Sequence, residues 1–289
     1  MDNQDPYQID KQQARRAFER AAATYDEAAV LQDEVGMRLL ERLDLVRLQP
    51  DSILDLGAGT GKMTAGLMKR YRKARVVAVD IAHSMLQRTR RRGGWLRRPR
   101  CICADAEQLP FAGNSFDLIF SNLMIQWCQP QDTLFGEFHR VLRPGGLLMF
   151  TTFGPDTLQE LRECWARADD CVHVNTFADM HDIGDALLQA RLADPVVDAE
   201  RITMTYADAR RLMMDLKHIG AHNVTRGRPQ GLTGRQRLRR VIEAYENYRQ
   251  EGVLPASYEV VYGHAWAPQS GRSSTMEMPV SELLCRKQP

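Results

Sequence analysis

The 289-residue chain has no apolar run approaching the roughly 18 residues that a membrane-crossing helix needs. Its first residues, MDNQDPYQIDKQQ, are polar and acidic, unlike a secretory signal. The six cysteines (Cys101, Cys103, Cys128, Cys164, Cys171 and Cys285) form no CxxC pair and no zinc-type spacing with histidine. These absences fit reduced thiols in a cytoplasmic protein. Internal repeats and low-complexity linkers are also missing. His218 and His222 stand four apart, a spacing that can bind metal on a helix. No third ligand accompanies them and Gly220 lies between, so no metal is expected. What remains is ordinary for a globular chain, 44% hydrophobic and 26% charged, with a net charge of +2 that hides local patterning.

Strand-like and helix-like segments alternate, which predicts a mostly parallel sheet wrapped by helices. The strand segments are Ser52–Leu56, Arg75–Asp80, Arg100–Ala104, Phe116–Ser121 and Gly146–Phe153. Helical patterns fall at Gly61–Arg72, Ser84–Arg92 and Gln131–Leu142, the last ended by Arg143-Pro-Gly-Gly. Ahead of them runs a helical leader, residues 1–49, in which Phe18, Ala21, Ala22 and Tyr25 share one apolar face. Beyond Phe153 the spacing predicts helices at Asp156–Asp169 and Asp179–Leu192 and a strand at Pro195–Tyr206. Helices at Ala207–Ile219 and Gly234–Gln250 follow, then an alternating strand, Ser257–Ala267, and a polar tail expected to fray. Thr233 and Gln236 fit a capping box. A single domain is expected, with a cofactor-binding core at 50–153 and a helical cap insert at 207–255 between the last two strands.

The chemistry lies in Ile53–Thr64, ILDLGAGTGKMT. A phosphate-cradling GxxxxGK[ST] fails twice, because Leu56 stands where the first glycine belongs and Met63 follows the lysine. The dinucleotide form GxGxxG is not met either, since Gly57, Gly59 and Gly61 read GxGxG. Such a turn still lets a ligand approach the backbone closely. Asp80, nineteen residues past Gly61, ends the second strand and offers two acceptor oxygens for both hydroxyls of a ribose. Asp105, beside the backbone of Ala106, suits an adenine edge. Asp55, ahead of the glycines, suits a cationic amino-acid end better than a pyrophosphate. Adenine, ribose, sulfonium and amino acid together describe S-adenosylmethionine.

The motifs LDLGAGTG, VVAVD, DAEQLPF, FDLIFSN and LRPGGLLMF, in this order over residues 50–153, resemble those of class I S-adenosylmethionine-dependent methyltransferases. That resemblance implies a Rossmann-like, doubly wound α/β fold of seven strands, the last antiparallel, with Ile81, Met85 and Asn122 joining the cofactor contacts and S-adenosylhomocysteine as product. Four further segments, RAFERAAATYDEAAVLQ, SNLMIQWC, TTFGPDTLQELR and LKHIGAHN, resemble the malonyl-[acyl-carrier protein] O-methyltransferase family of biotin synthesis. The resemblance implies methyl esterification of the free carboxylate of a carrier-bound malonyl thioester. A carboxylate is already ionised at neutral pH and requires no general base. Catalysis then rests on alignment and water exclusion.

By the same analogy the leader folds over the cofactor and brings Tyr25 to the active-site wall as the catalytic-site residue. Gln126 and Trp127 follow the fourth strand, where substrate walls form in such sheets; Trp127 equally suits core packing. Lys217 and His218 can contact the carboxylate or stand as solvated helix charges. Two basic tracts bear on the partner: seven arginines in Arg88–Arg100, and the insert's Arg226, Arg228, Arg235, Arg237, Arg239 and Arg240. Nucleic acid would meet either tract through phosphates. An acidic carrier protein suits the second, with Arg239 and Arg240 as its substrate-side contacts. A small-molecule carboxylate or quinone-pathway methyltransferase, an accessory protein that keeps the adenosine pocket, and RNA methylation stay open at this level.

Overall fold

A computed structural model describes residues 7–94, 97–228, 231 and 234–269. Seven strands form one sheet in the order β3-β2-β1-β4-β5-β7-β6. The first five, β1 (Ser52–Leu56), β2 (Arg75–Asp80), β3 (Arg100–Cys103), β4 (Phe116–Ser121) and β5 (Leu142–Phe153), run parallel. β7 (Leu254–Trp266) lies antiparallel between β5 and β6 (Ala193–Tyr206). The seven-stranded α/β expectation with an antiparallel last strand therefore holds.

The period of two along the central strands divides the interior into two cores. Ile53, Leu118, Phe120, Leu147 and Met149 face one side, where Leu39, Leu67 and Tyr245 pack. Their neighbours Leu54, Ile119, Leu148 and Phe150 face the other, against Phe138 and Leu187. The first side is covered by α3 (Val30–Arg42), α4 (Lys62–Arg70), α7 (Gln159–Ala166), α9 (Ala209–His218) and α10 (Arg235–Tyr245). The second is covered by α6 (Gln131–Val141) and α8 (Met180–Gln189). Asp179 and Asp208 start α8 and α9 by accepting from His181 N at 2.8 Å and Arg211 N at 2.9 Å, a carboxylate satisfying a free first-turn amide.

Several boundaries differ from the sequence reading: the helix expected at Asp156–Asp169 is shorter, Gln159–Ala166, the last strand starts at Leu254 and not Ser257, and three more differ for local reasons. The leader is not one helix. It breaks at Ala22–Thr24 into α1 (Lys11–Ala21) and the single turn α2 (Tyr25–Ala28) ahead of α3. The fifth strand begins four residues early, because Leu142 already pairs with Phe116 and the chain then bulges before Leu118 meets Leu147. In the insert, α10 stops at Tyr245 and tightens into a 3-10 turn, Glu246–Tyr248. Thr233 of the expected capping box, and the tail from 270 onward with Cys285, lie outside the described residues.

The leader and the insert are joined directly, although nearly the whole sheet separates them in sequence. Asp10 N donates to Val224 O at 3.0 Å, Arg226 N to Gln8 O at 3.0 Å, and Thr24 Oγ1 to His218 O at 3.0 Å. Gly220, at φ +75°, lets this crossing close: an added Cβ would lie 3.1 Å from the Phe18 ring and 3.2 Å from the Ala17 backbone.

Candidate active site

The glycine loop between β1 and α4 forms the floor of a cleft at the carboxyl ends of the parallel strands, where open α/β sheets bind ligands. Gly57, Gly59 and Gly61 all have positive φ, at +72°, +55° and +87°. They do different work. An added Cβ on Gly59 would meet nothing, so this backbone is bare toward the cleft; one on Gly57 would strike Met124 at 2.4 Å. Gly61 turns away and packs on Thr89, whose backbone would lie 2.7 Å from its Cβ, as the chain enters α4.

Asp80, at the end of β2, is held by two backbone donors. Gly59 N reaches Oδ2 at 2.9 Å and Ala82 N reaches Oδ1 at 2.8 Å. Each oxygen keeps lone pairs for a further donor from the cleft. Burial pushes this carboxyl up to about 6, against the pull of those amides. A hydroxyl donated to the carboxylate favours the ionised form, so ligand binding below pH 6 must displace a proton. Cofactor affinity is therefore expected to hold above pH 7 and to weaken by about tenfold between pH 7 and pH 5. Titration calorimetry at pH 5.5 in buffers of different ionisation heat should show proton release; no release would remove Asp80 from the ligand shell. The sign for folding is opposite. A raised carboxyl takes up its proton in the folded chain first, so this group's share of stability grows as pH falls through 6.

The remaining predicted positions divide clearly. Ile81, Met85, Asp105, Ala106, Asn122, Tyr25 and Trp127 all line this cleft of about 740 Å³, its open mouth included. Phe18, Ala21, Ala22 and Tyr25 pack on Ala82 and Met85, which brings the leader across the glycine loop. The Tyr25 phenol is pushed up by burial and by Asp80, Asp33 and Asp26, so it remains a donor and cannot serve as a base. Asn122 spans two elements, giving Nδ2 to Gln32 O at 2.9 Å and accepting Thr151 Oγ1 at 2.8 Å.

Asp55 does not reach the cleft. It is 2% exposed, hydrogen-bonds Thr64 under the loop, and is pushed up to about 7 by burial. It supports the loop from below. Gln126 faces a second cavity, with Nε2 on Leu123 O at 2.8 Å. Lys217 and His218 end α9 and line neither space; His222 lies past the helix, so the two histidines do not share a helical face. Arg239 and Arg240 stand exposed on α10, Arg239 pairing with Glu243 at 2.7 Å.

Sequence reasoning missed Lys11, whose Nζ lies 2.7 Å from Asp105 and also contacts Glu107 at the cleft rim. A partner 94 residues away leaves no local signal. It also missed Met124 and Cys128 on the wall, though both lie inside the SNLMIQWC segment, Ser121–Cys128.

The second cavity, about 870 Å³ with its mouth, lies between β5, α7, α9 and the residues after α7. Trp127 belongs to both walls, its ring held edge-on by Phe18 at 5.1 Å and 87°. One space thus suits a nucleoside and the adjoining one an acceptor.

The fold, the bare glycine loop and the strand-end carboxylate define an S-adenosylmethionine-dependent methyltransferase, and residues 54–150 match a family model described as a methyltransferase domain. Solved structures agree on the fold: phosphoethanolamine N-methyltransferase 2 of Haemonchus contortus, in complex with S-adenosyl-L-methionine, matches with a TM-score of 0.56 at 18% identity over 87% of this chain and 57% of that one. Curated relatives are far nearer. The malonyl-[acyl-carrier protein] O-methyltransferase of Halorhodospira halophila is 55% identical over 91% of this chain and 90% of its own. That of Gallionella capsiferriformans is 53% identical over 90% and 92%. The chain belongs to the malonyl-[acyl-carrier protein] O-methyltransferase family. Among the described residues no helix is long and apolar enough to cross a membrane.

Proposed function

We propose that this chain methylates the free carboxylate of malonyl-acyl carrier protein, with S-adenosylmethionine as donor and S-adenosylhomocysteine as product, in the biotin pathway that the family resemblance implies. The observation that carries the reading is Trp127, shared by the nucleoside cleft and the second cavity, so that donor and acceptor meet at one side chain.

The bound sulfonium would supply an electrophilic methyl group. Asp80 takes the ribose hydroxyls, Gly57 and Gly59 present backbone, and Asp105 and Ala106 bound the adenine side with Ile81, Met85 and Asn122. Asp55 and Gly61 hold the loop in shape. Tyr25 closes the wall near the reacting end as a protonated phenol, and Gln126 and Trp127 shape the acceptor side. No residue needs to remove a proton, because the carboxylate attacks already ionised. A carboxylate and a sulfonium lose their opposite charges as the ester forms. A dry wall therefore favours reaction over a strong fixed cation, which would stabilise the carboxylate before it reacts. The residues hold no group of metal-ligand type among those described.

The exposed arginines of α10 form the surface for the acidic carrier. Arg239→Glu with Arg240→Glu is expected to raise KM for malonyl-carrier protein about tenfold, more at low salt, with cofactor affinity unchanged. Parallel loss of cofactor binding would remove these residues from the docking surface. The activity itself is tested by labelled methyl transfer: base-labile label on malonyl-carrier protein, with little on free malonate, is expected. Transfer to free malonate instead would make the chain a small-molecule methyltransferase, and cofactor binding without transfer to either would make it an accessory protein.

A further inference from the structure

Among the described residues, the second cavity has no aspartate, glutamate, lysine or arginine in its wall. Its polar groups are amides, a threonine hydroxyl, the Tyr258 phenol, indoles and imidazoles, set among Leu161, Met213, Leu216 and Ile219. His222 is held toward the neutral form by burial and by Arg20, Arg228 and Lys217 around it. His173 stacks on Trp165 at 3.7 Å with Nε2 2.8 Å from Asp169.

Two of the wall's amides are already spent. Asn223 donates to Val172 O at 2.5 Å and accepts from Thr225 N at 2.8 Å. Gln126 donates to Leu123 O at 2.8 Å and accepts from Thr152 Oγ1 at 3.3 Å. Asn175, which follows the His173 stack, is different. It is 6% exposed, and its side-chain oxygen is buried without a hydrogen-bond partner among the described residues. An unpaired buried acceptor is costly to keep and calls for a donor from the cavity.

Neither a carboxylate nor a sulfonium can donate. An amide N–H can. We propose that this cavity receives the neutral, amide-bearing thiol arm on which a carrier protein presents its acyl group, and that the Asn175 side-chain oxygen accepts an N–H of that arm. The proposal rests on the carrier-dependent reading above and adds which part of the substrate the cavity recognises. The apolar residues take the arm's hydrocarbon, Asn175 fixes its depth, and the acyl carboxylate is delivered at Trp127, where the cavity meets the cleft. A wall whose described residues include no lysine or arginine suits such an arm because it gives the carboxylate no ammonium or guanidinium at which to stop short.

The test compares two malonyl thioesters, malonyl-pantetheine, whose arm carries amides, and malonyl ethyl thioester, which carries none. Asn175→Leu, close in volume and without polar atoms, is expected to lower kcat/KM about tenfold on malonyl-pantetheine, mainly through KM, and to leave the ethyl thioester within about twofold. The ratio of the two substrates is independent of how much variant folds, and Asn175→Ala, which also has no side-chain acceptor, should reproduce it. Equal losses on both thioesters, which a purely structural role produces, would overturn the proposal; so would no loss on either. A wild-type enzyme that binds cofactor but methylates no malonyl thioester would sink the carrier-dependent reading, and this inference with it.

Discussion

Asp80→Asn is expected to weaken S-adenosylmethionine binding about a hundredfold, roughly 3 kcal/mol, while leaving stability at pH 7 within about 1 kcal/mol of wild type. The two halves of that expectation come from one geometry. The carboxylate lies between Gly59 N and Ala82 N with lone pairs left toward the cleft. Replacing one oxygen by an amide nitrogen removes the charge and turns a donor toward hydroxyls that need acceptors. The carboxyl's raised value shows that the folded chain carries its charge at a cost, so losing the charge offsets the loss of one backbone contact. Calorimetry with S-adenosylhomocysteine together with thermal melting checks both. A variant that binds normally would remove the ribose role; one that melts far below wild type would make the residue structural.

Trp127→Ala is expected to cut kcat by about a hundredfold with cofactor affinity changed less than tenfold. Trp127 is the partition between the two cavities and the support against which Phe18 lays the leader. Removing it merges the spaces, admits water, and lets the carboxylate approach from many directions. Truncation should also cost about 2 to 3 kcal/mol of stability. Trp127→Phe keeps a ring against Phe18 and should recover most of the rate. Single-turnover methyl transfer separates alignment from release of product; a loss confined to product release would contradict the partition role.

The sequence exposed the cofactor side well because its signals are local. A glycine turn, a carboxylate ending a strand and a polar-to-apolar switch each occur within one βα unit, and parallel pairing then brings units with the same pattern to one edge. Asp80, Ile81, Met85, Asp105, Ala106 and Asn122 consequently came together on one wall. Asp55 shows the limit. Its place in β1 was legible, yet the period-two direction of its side chain, down to Thr64 rather than up to the cleft, depends on where the strand ends. The acceptor side was far less legible. Asn175 lies between helices with no motif around it, and its meaning comes from a missing hydrogen bond, which only packing reveals. Lys217 and His218 drew notice as charges in a specific-looking segment, but at the end of α9 neither lines either space.

The stitching of residues 8–10 and 24 to residues 218–226 joins two distant stretches of chain beside the site into one connected piece. Neither half can separate from the other without breaking backbone hydrogen bonds. A nick or insertion in the insert is consequently expected to be felt at the leader, through hydrogen bonds that neither stretch can replace from within itself.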